Sequence, residues 1–171
     1  MISRTVLVAP EPFGELSAAR VAAAIGRGLR GADALLEVDL LPVQLPDRPP
    51  VAPGAGDTPD DDGAPDDGGA PVDPRVAFEP GELDALGYDK RMRAARAVIL
   101  GAGRLDERTL LGSATFELAT RARQAGVPAY AVAGENALSL FDARILDLQV
   151  VLQARDTRAL RRAGEKLAGL V

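Results

Sequence analysis

The chain contains no cysteine, no histidine and no tryptophan among its 171 residues. Without cysteine it cannot build a disulfide framework or a thiolate metal site. Without histidine it lacks the commonest general base and the commonest side-chain metal ligand, which excludes a serine–histidine–aspartate triad. Any acid–base chemistry therefore belongs to aspartate, glutamate, lysine or tyrosine.

Long apolar runs are missing as well. The first ten residues hold an apolar stretch that is too short for a secretory signal. No run approaches the roughly 20 residues of a membrane-spanning helix. We therefore expect a cytoplasmic protein with no membrane partner.

Negative charge is concentrated in one segment. Residues 43–80 contain eight aspartates, one glutamate and two arginines. This segment therefore has a net charge of −7, whereas the whole chain has a net charge of −5. By subtraction the remainder is about +2, which is not the basic surface of a nucleic-acid-binding protein, and we expect no such partner. The same 38 residues hold nine prolines and five glycines and few apolar side chains. We predict a disordered linker over 43–78 between the two parts, 1–42 and 79–171, of one split domain.

Strands and helices alternate on both sides of this segment. Apolar runs rich in β-branched residues predict strands at 5–8, 35–41, 97–100, 129–133 and 148–152. Apolar stripes with helical spacing predict helices at 17–31, 109–125, 138–143 and 157–170, and short helical turns at 83–93. Ser17 is a predicted N-cap, and Gly31 and Gly126 are predicted helix stops. The pattern predicts a three-layer α/β fold: a mostly parallel five-stranded sheet of Rossmann or flavodoxin-like type with helices on both faces.

Three segments follow strands and would lie at one edge of such a sheet: 10–15, 101–107 and 134–136. In the second, we expect an apolar strand to end at a Gly101-Ala102-Gly103 turn and to enter a helix. Such a turn lets backbone amides approach an anion, and the helix dipole assists. Arg104 could bind a phosphate or carboxylate, and Asp106 could hold Mg²⁺ or orient a hydroxyl group.

A purely structural interpretation of these residues stays open. Gly101 and Gly103 could simply allow a tight turn, and Asp106 could cap the helix. Glu11 would then be a solvated loop carboxylate, as would Glu15. Nothing in the pattern decides what Glu135 and Asn136 do, and a single Gly-x-Gly is a weak signal by itself.

Longer motifs resemble a known family. Residues 9–18 read Ala-Pro-Glu-Pro-Phe-Gly-Glu-Leu-Ser-Ala and resemble Ala-Pro-Asp-Ser-Phe-Lys-Gly-Ser-Leu-Ser-Ala, which opens bacterial glycerate kinases. Residues 87–91 and 97–106 resemble that family's Gly-Phe-Asp-x-Arg and Ala-Asp-Leu-Val-Ile-Thr-Gly-Glu-Gly-Arg-Leu-Asp. Further matches follow in order at 110–112, 126–128, 133–134 and 140–143. Because several motifs keep their order over roughly 120 residues, the resemblance is far more specific than any one of them.

The resemblance implies transfer of the ATP γ-phosphate to D-glycerate, or to a similar small hydroxy acid, with Mg²⁺. It also implies two α/β domains with the site in the cleft between them, of which the inserted second domain is absent here; residues 43–78 would bridge its place. The implied catalytic residues are Asp106, Arg104 and Glu11, with Asp106 also a metal ligand. The implied cofactor-binding residues are Gly101, Gly103, Gly112 and Gly134.

Several positions depart from the family pattern. Glu11 replaces the opening aspartate, and the lysine of that motif has no counterpart because the loop is one residue shorter. A glycine-rich acidic motif that follows the second strand is missing. Ala102, Arg108 and Ser113 replace a glutamate, a glutamine and a lysine. We therefore predict a glycerate kinase-like protein that is degenerate or needs a homodimer or partner chain to complete the cleft. The alternative is a non-catalytic module that binds a small ligand or a protein.

Overall fold

A computed structural model describes residues 4–44 and 80–171. Most of the predicted linker lies outside these ranges. The elements in chain order are β1 (Thr5–Pro10), α1 (Ala18–Ala32), β2 (Glu37–Leu40), α2 (Pro80–Ala85), α3 (Tyr88–Ala94), β3 (Ala97–Leu105), a 3₁₀ helix (Glu107–Leu111), α4 (Ala114–Gln124), β4 (Ala129–Asn136), α5 (Leu140–Ile145), β5 (Leu148–Gln153) and α6 (Thr157–Ala168). Within the described ranges, no helix is both long and apolar enough to cross a bilayer.

The five strands form one parallel sheet in the order β2-β1-β3-β4-β5. This confirms the predicted fold class, and the order is the flavodoxin-like one. The chain moves outward from β1 to β2 and then returns to the other side of β1, so the strand order switches between β1 and β3. In open α/β sheets, ligands bind beyond the carboxyl ends of the two strands at that switch point.

Helices cover both faces of the sheet. The central strands are apolar without alternation because both of their faces are buried: Ile99 faces α1 and α6, and Leu100 faces α3 and α4. Tyr88 of α3 is fully buried and donates its hydroxyl hydrogen to the Leu118 carbonyl oxygen at 2.9 Å. The predicted three layers are confirmed.

The residues on the two sides of the undescribed segment share this sheet. β1 pairs with β2 on one side and with β3 on the other. Arg91 of α3 donates to the Asp39 carboxylate of β2 and to the Leu40 carbonyl oxygen, and its guanidinium lowers the pKa of Asp39. Val43 is buried and donates its N–H to the Pro10 carbonyl oxygen at 2.9 Å. These contacts hold the early and late parts of the chain together.

Local signals set some boundaries correctly and others wrongly. Ser17 is the N-cap of α1, and Gly126, with φ +69°, follows α4 in the left-handed conformation; both predictions are confirmed. The predicted stop at Gly31 is wrong, since α1 continues to Ala32. The single helix predicted at 109–125 is also wrong. Gly112, with φ +95°, separates a 3₁₀ helix from α4 there.

Candidate site at the carboxyl edge of the sheet

The Gly-x-Gly stretch is part of a strand. β3 runs without interruption through Gly101 and Gly103 to Leu105, and pairs with β4 along this length. The predicted strand-to-helix turn is therefore wrong, because ladder pairing with β4 keeps the backbone extended. Gly134 likewise lies inside β4 and not in a loop after it. These glycines do not form a loop of amides in front of a helix.

Close packing explains two of the glycines. A Cβ atom at Gly101 would lie 2.5 Å from Pro10 Cβ, and one at Gly134 would lie 2.5 Å from the Gly103 carbonyl oxygen. A Cβ at Gly103 would make only an ordinary contact, 3.5 Å from the Pro12 carbonyl oxygen. Gly101 and Gly134 are thus required where one backbone closely approaches another. Gly112 is required by its left-handed conformation.

Asp106 begins the 3₁₀ helix. Its Oδ1 accepts from the Arg108 N–H at 3.0 Å, and its own N–H donates to Thr109 Oγ1 at 3.1 Å, which completes a capping box. This confirms the structural interpretation of Asp106 as a cap. Thr109 was missed, although the Asp-x-x-Thr spacing is a recognisable capping signal.

Arg104 joins the ends of β3 and β4. Its Nε donates to Asp106 Oδ2 at 2.8 Å and its Nη1 to Glu135 Oε1 at 3.1 Å. The hydrogen bond to Asp106 and the charge of Glu135 raise the pKa of Arg104. The Arg104 side chain is still 56% exposed. Exposed ion pairs contribute little energy, so an external anion can compete for this guanidinium. The structure thus places Glu135, which the sequence left undecided, beside the candidate pair.

At the switch point, Glu11 connects the end of β1 to the start of α4 through its side chain. Its Oε1 accepts from the Thr115 N–H at 2.8 Å and from Thr115 Oγ1 at 2.9 Å, and its own N–H donates to the Gly101 carbonyl oxygen at 2.8 Å. Thr115 is the second residue of α4, so the carboxylate lies at the positive end of that helix. The interpretation of Glu11 as a solvated loop residue is wrong, whereas Glu15 is exposed. Thr115 was missed because it is 104 residues away in sequence.

Burial raises the pKa of the Glu11 carboxyl above its ordinary 4.5, although both hydrogen bonds from Thr115 lower it. At pH values between the pKa of Glu11 in the unfolded state and its higher pKa in the folded state, the folded protein binds more protons. The free energy of unfolding therefore falls as the pH rises through that range. We expect Glu11→Gln, which keeps Oε1 as an acceptor, to be at least as stable as the unmodified protein at pH 7. The difference should shrink towards pH 4.

Urea unfolding between pH 4 and pH 7 measures this difference. Glu15→Gln, on the same loop but exposed, is the matched control and should change the free energy of unfolding by less than about 0.5 kcal/mol. Parallel pH profiles for Glu11→Gln and the unmodified protein would show that burial does not perturb this carboxyl group.

The described residues do not assemble a magnesium site around Asp106. Within 4–44 and 80–171 there is no group of three or more acidic side chains that could hold a metal ion. Both Asp106 oxygens accept hydrogen bonds from protein donors. Mg²⁺ requires near-octahedral oxygen ligands, so the arrangement does not fit the ion by itself.

Further cations line the same edge. Arg155 follows β5 and donates its Nε to the Gly134 carbonyl oxygen at 3.1 Å. Arg108, at the start of the 3₁₀ helix, is exposed, and its side chain has no ion pair within the described part of the chain. Arg155 was missed because its partner lies on another strand. Together with Arg104, these side chains give the edge a capacity to bind a carboxylate or phosphate.

The family model of the glycerate kinases matches residues 82–168, just over half of the chain. The chain belongs to the glycerate kinase family. The matched region runs from α2 to α6, so it contains Arg104 and Asp106 but not β1 or Glu11.

One similar solved structure is that of a protein from Salmonella typhimurium LT2 provisionally named glycerate kinase 2. It matches at 21% sequence identity with a TM-score of 0.39, over 52% of this chain. The match spans 24% of the length of the Salmonella protein. No protein of curated function matches the chain significantly.

Proposed function

We propose that this protein is a glycerate kinase-type phosphotransferase that depends on a second copy or a partner chain to complete its cleft. The observation that carries the proposal is the Arg104–Asp106 pair at the carboxyl end of β3, within the region that defines the family. Arginine at this position presents two-pronged donors that suit a carboxylate or a phosphate. Its substrate would be D-glycerate or a similar small hydroxy acid.

Arg104 and Asp106 have different roles in this proposal. Asp106 is fixed by the capping box and orients Arg104 through Nε. The Arg104 guanidinium then binds the anionic group of the substrate, and Asp106 accepts the proton of the attacking hydroxyl. Phosphoryl transfer depends mainly on positioning and charge stabilisation, and an exposed edge supplies little of either without a second wall. ATP and Mg²⁺ are the proposed cofactors, and a partner would have to provide the ligands that the described residues lack.

The contacts of the other candidate residues support the expectation that the isolated chain has weak activity. The Glu11 carboxylate is bound to Thr115, and the glycines of β3 and β4 pair in the sheet. Ala102 offers no carboxylate where the family has one. The residues that remain available are Arg104, Asp106 and the neighbouring arginines.

The test is ADP release from the purified chain with ATP, Mg²⁺ and D-glycerate. We expect slow turnover whose specific activity rises with protein concentration or on addition of the partner. Asp106→Asn should lower it by about 100-fold, because a positioned base contributes about 10²–10⁴ in rate. Asparagine is also a good N-cap, so the fold should persist.

Glu107→Gln, at the adjacent exposed position, is the matched control and should retain activity. If Asp106→Asn had the same turnover as the unmodified protein, Asp106 would not be the proton acceptor. No turnover from a folded sample at any concentration would favour the alternative, a non-catalytic module that binds a small ligand or a protein.

A further inference from the structure

Among the described residues, the strand β5 is an edge of the sheet. Its sequence, Leu-Gln-Val-Val-Leu-Gln, contains neither charge nor proline. Within the described part of the chain, β5 pairs only with β4. The opposite edge strand, β2, carries Glu37 and Asp39. Proteins usually protect strand edges with charges, proline or a covering segment, because free backbone groups pair readily with another strand. The β4–β5 pairing has a register shift between Ala129 and Ala131, but it is regular over Val151–Gln153, where β5 carries no charge. This part of β5 can therefore accept a further strand.

A groove lies beside this edge. A half-open depression of about 260 Å³ lies between β5 and α6, with lining residues Leu152, Gln153, Ala159, Arg162, Ala163 and Lys166. Pockets that enclose a whole small molecule have volumes of about 300–1,000 Å³. This depression is smaller and lies next to the edge strand of the described sheet, so it suits a side chain of a peptide that runs along β5.

The groove carries uncompensated positive charge. Arg162 and Lys166 lie one helical turn apart, are exposed, and make no ion pair or hydrogen bond through their side chains within the described residues. On the same helix, Arg161 is paired, since its Nε donates to Glu165 Oε1 at 3.0 Å. Cations without a partner in the described structure favour acidic ligands at this groove.

We propose that β5 and α6 form a docking groove for an extended acidic peptide of a partner protein. The peptide adds a sixth strand beside β5, places an apolar side chain against Leu152 and Ala163, and pairs acidic side chains with Arg162 and Lys166. Addition of a strand at a sheet edge is an established mode of peptide recognition. This groove lies two strands away from the switch point, and none of its lining residues belongs to the Arg104–Asp106 pair of the proposed phosphotransfer site.

A second copy of this chain fits the groove less well. Antiparallel pairing of two β5 strands about a twofold axis normal to the sheet keeps corresponding faces on the same side. Arg162 and Lys166 of both copies would then approach each other. Like charges across an interface suppress association, so charge complementarity favours the acidic peptide.

The test uses the full chain and a fluorescent octapeptide of alternating valine and glutamate, followed by anisotropy. We expect it to bind at least tenfold more tightly than the valine–lysine counterpart. The double variant Arg162→Gln/Lys166→Gln should weaken binding at least tenfold, whereas Arg161→Gln on the same helix should stay within twofold. N-methylation of alternate peptide bonds should abolish binding, because strand addition requires backbone hydrogen bonds.

Four results would overturn the proposal. The lysine peptide could bind equally well, the double variant could bind unchanged, or the N-methylated peptide could retain its affinity, which would indicate charge attraction without strand pairing. Binding that appears only after deletion of residues 51–72 would show that the chain's own acidic segment occupies the groove.

Discussion

Replacing Gly28 or Gly164 with alanine is expected to destabilise the protein by about 3 kcal/mol, the upper end of the range for overpacking a core. These glycines lie where α1 and α6 meet. A Cβ at Gly28 would lie well inside van der Waals contact with the Arg161 carbonyl oxygen, and one at Gly164 would collide with the Ile25 carbonyl oxygen. Because the obstacles are backbone atoms, no side-chain rotation relieves them, and the helices must separate.

Urea or thermal unfolding of the single variants measures this loss. The control is Gly31→Ala in the same helix, where the added Cβ would meet nothing within 4 Å. Alanine is favoured over glycine inside a helix by about 1 kcal/mol, so this variant should be slightly stabilised. If Gly28→Ala and Gly31→Ala had equal stability, α1 and α6 could not be packed as closely as the structure shows.

The second large effect is expected at the carboxyl edge of the sheet. Gly134→Ala should cost about 2 kcal/mol, because its methyl group would lie 2.5 Å from the Gly103 carbonyl oxygen of the neighbouring strand. Gly103→Ala should change stability by less than about 0.5 kcal/mol, since its methyl group makes only ordinary contacts. The two glycines therefore differ in structural role even though both match the family motif.

Chemical unfolding of the two variants separates these roles, and substrate or nucleotide binding to Gly103→Ala adds a functional measurement. A stable Gly103→Ala variant that loses ligand binding would show that Gly103 serves a ligand and not the fold. A Gly134→Ala variant as stable as the unmodified protein would contradict the close approach of β3 and β4.

The sequence predicted the order and type of the main elements because these depend on short windows. The apolar runs of β1, β3 and β4 and the helical stripes of α1 and α6 are visible within a few turns of chain. Caps such as Ser17 and Asp106 bond to residues two or three positions away, so their signals are also local. The Arg104–Asp106 pair lies within one motif. The ordered series of such motifs predicted the glycerate kinase family, to which the family model assigns the chain.

The tertiary structure decided how those residues are used. Whether Gly101 and Gly103 form a turn depended on pairing with β4 and on the approach of Pro10, which come from distant parts of the chain. The bond from Thr115 to Glu11 and the groove between β5 and α6 also depend on residues brought together only by folding. Sequence periodicity encodes which face of an element is buried, but the atoms that meet across strands and helices are set by packing of the whole sheet.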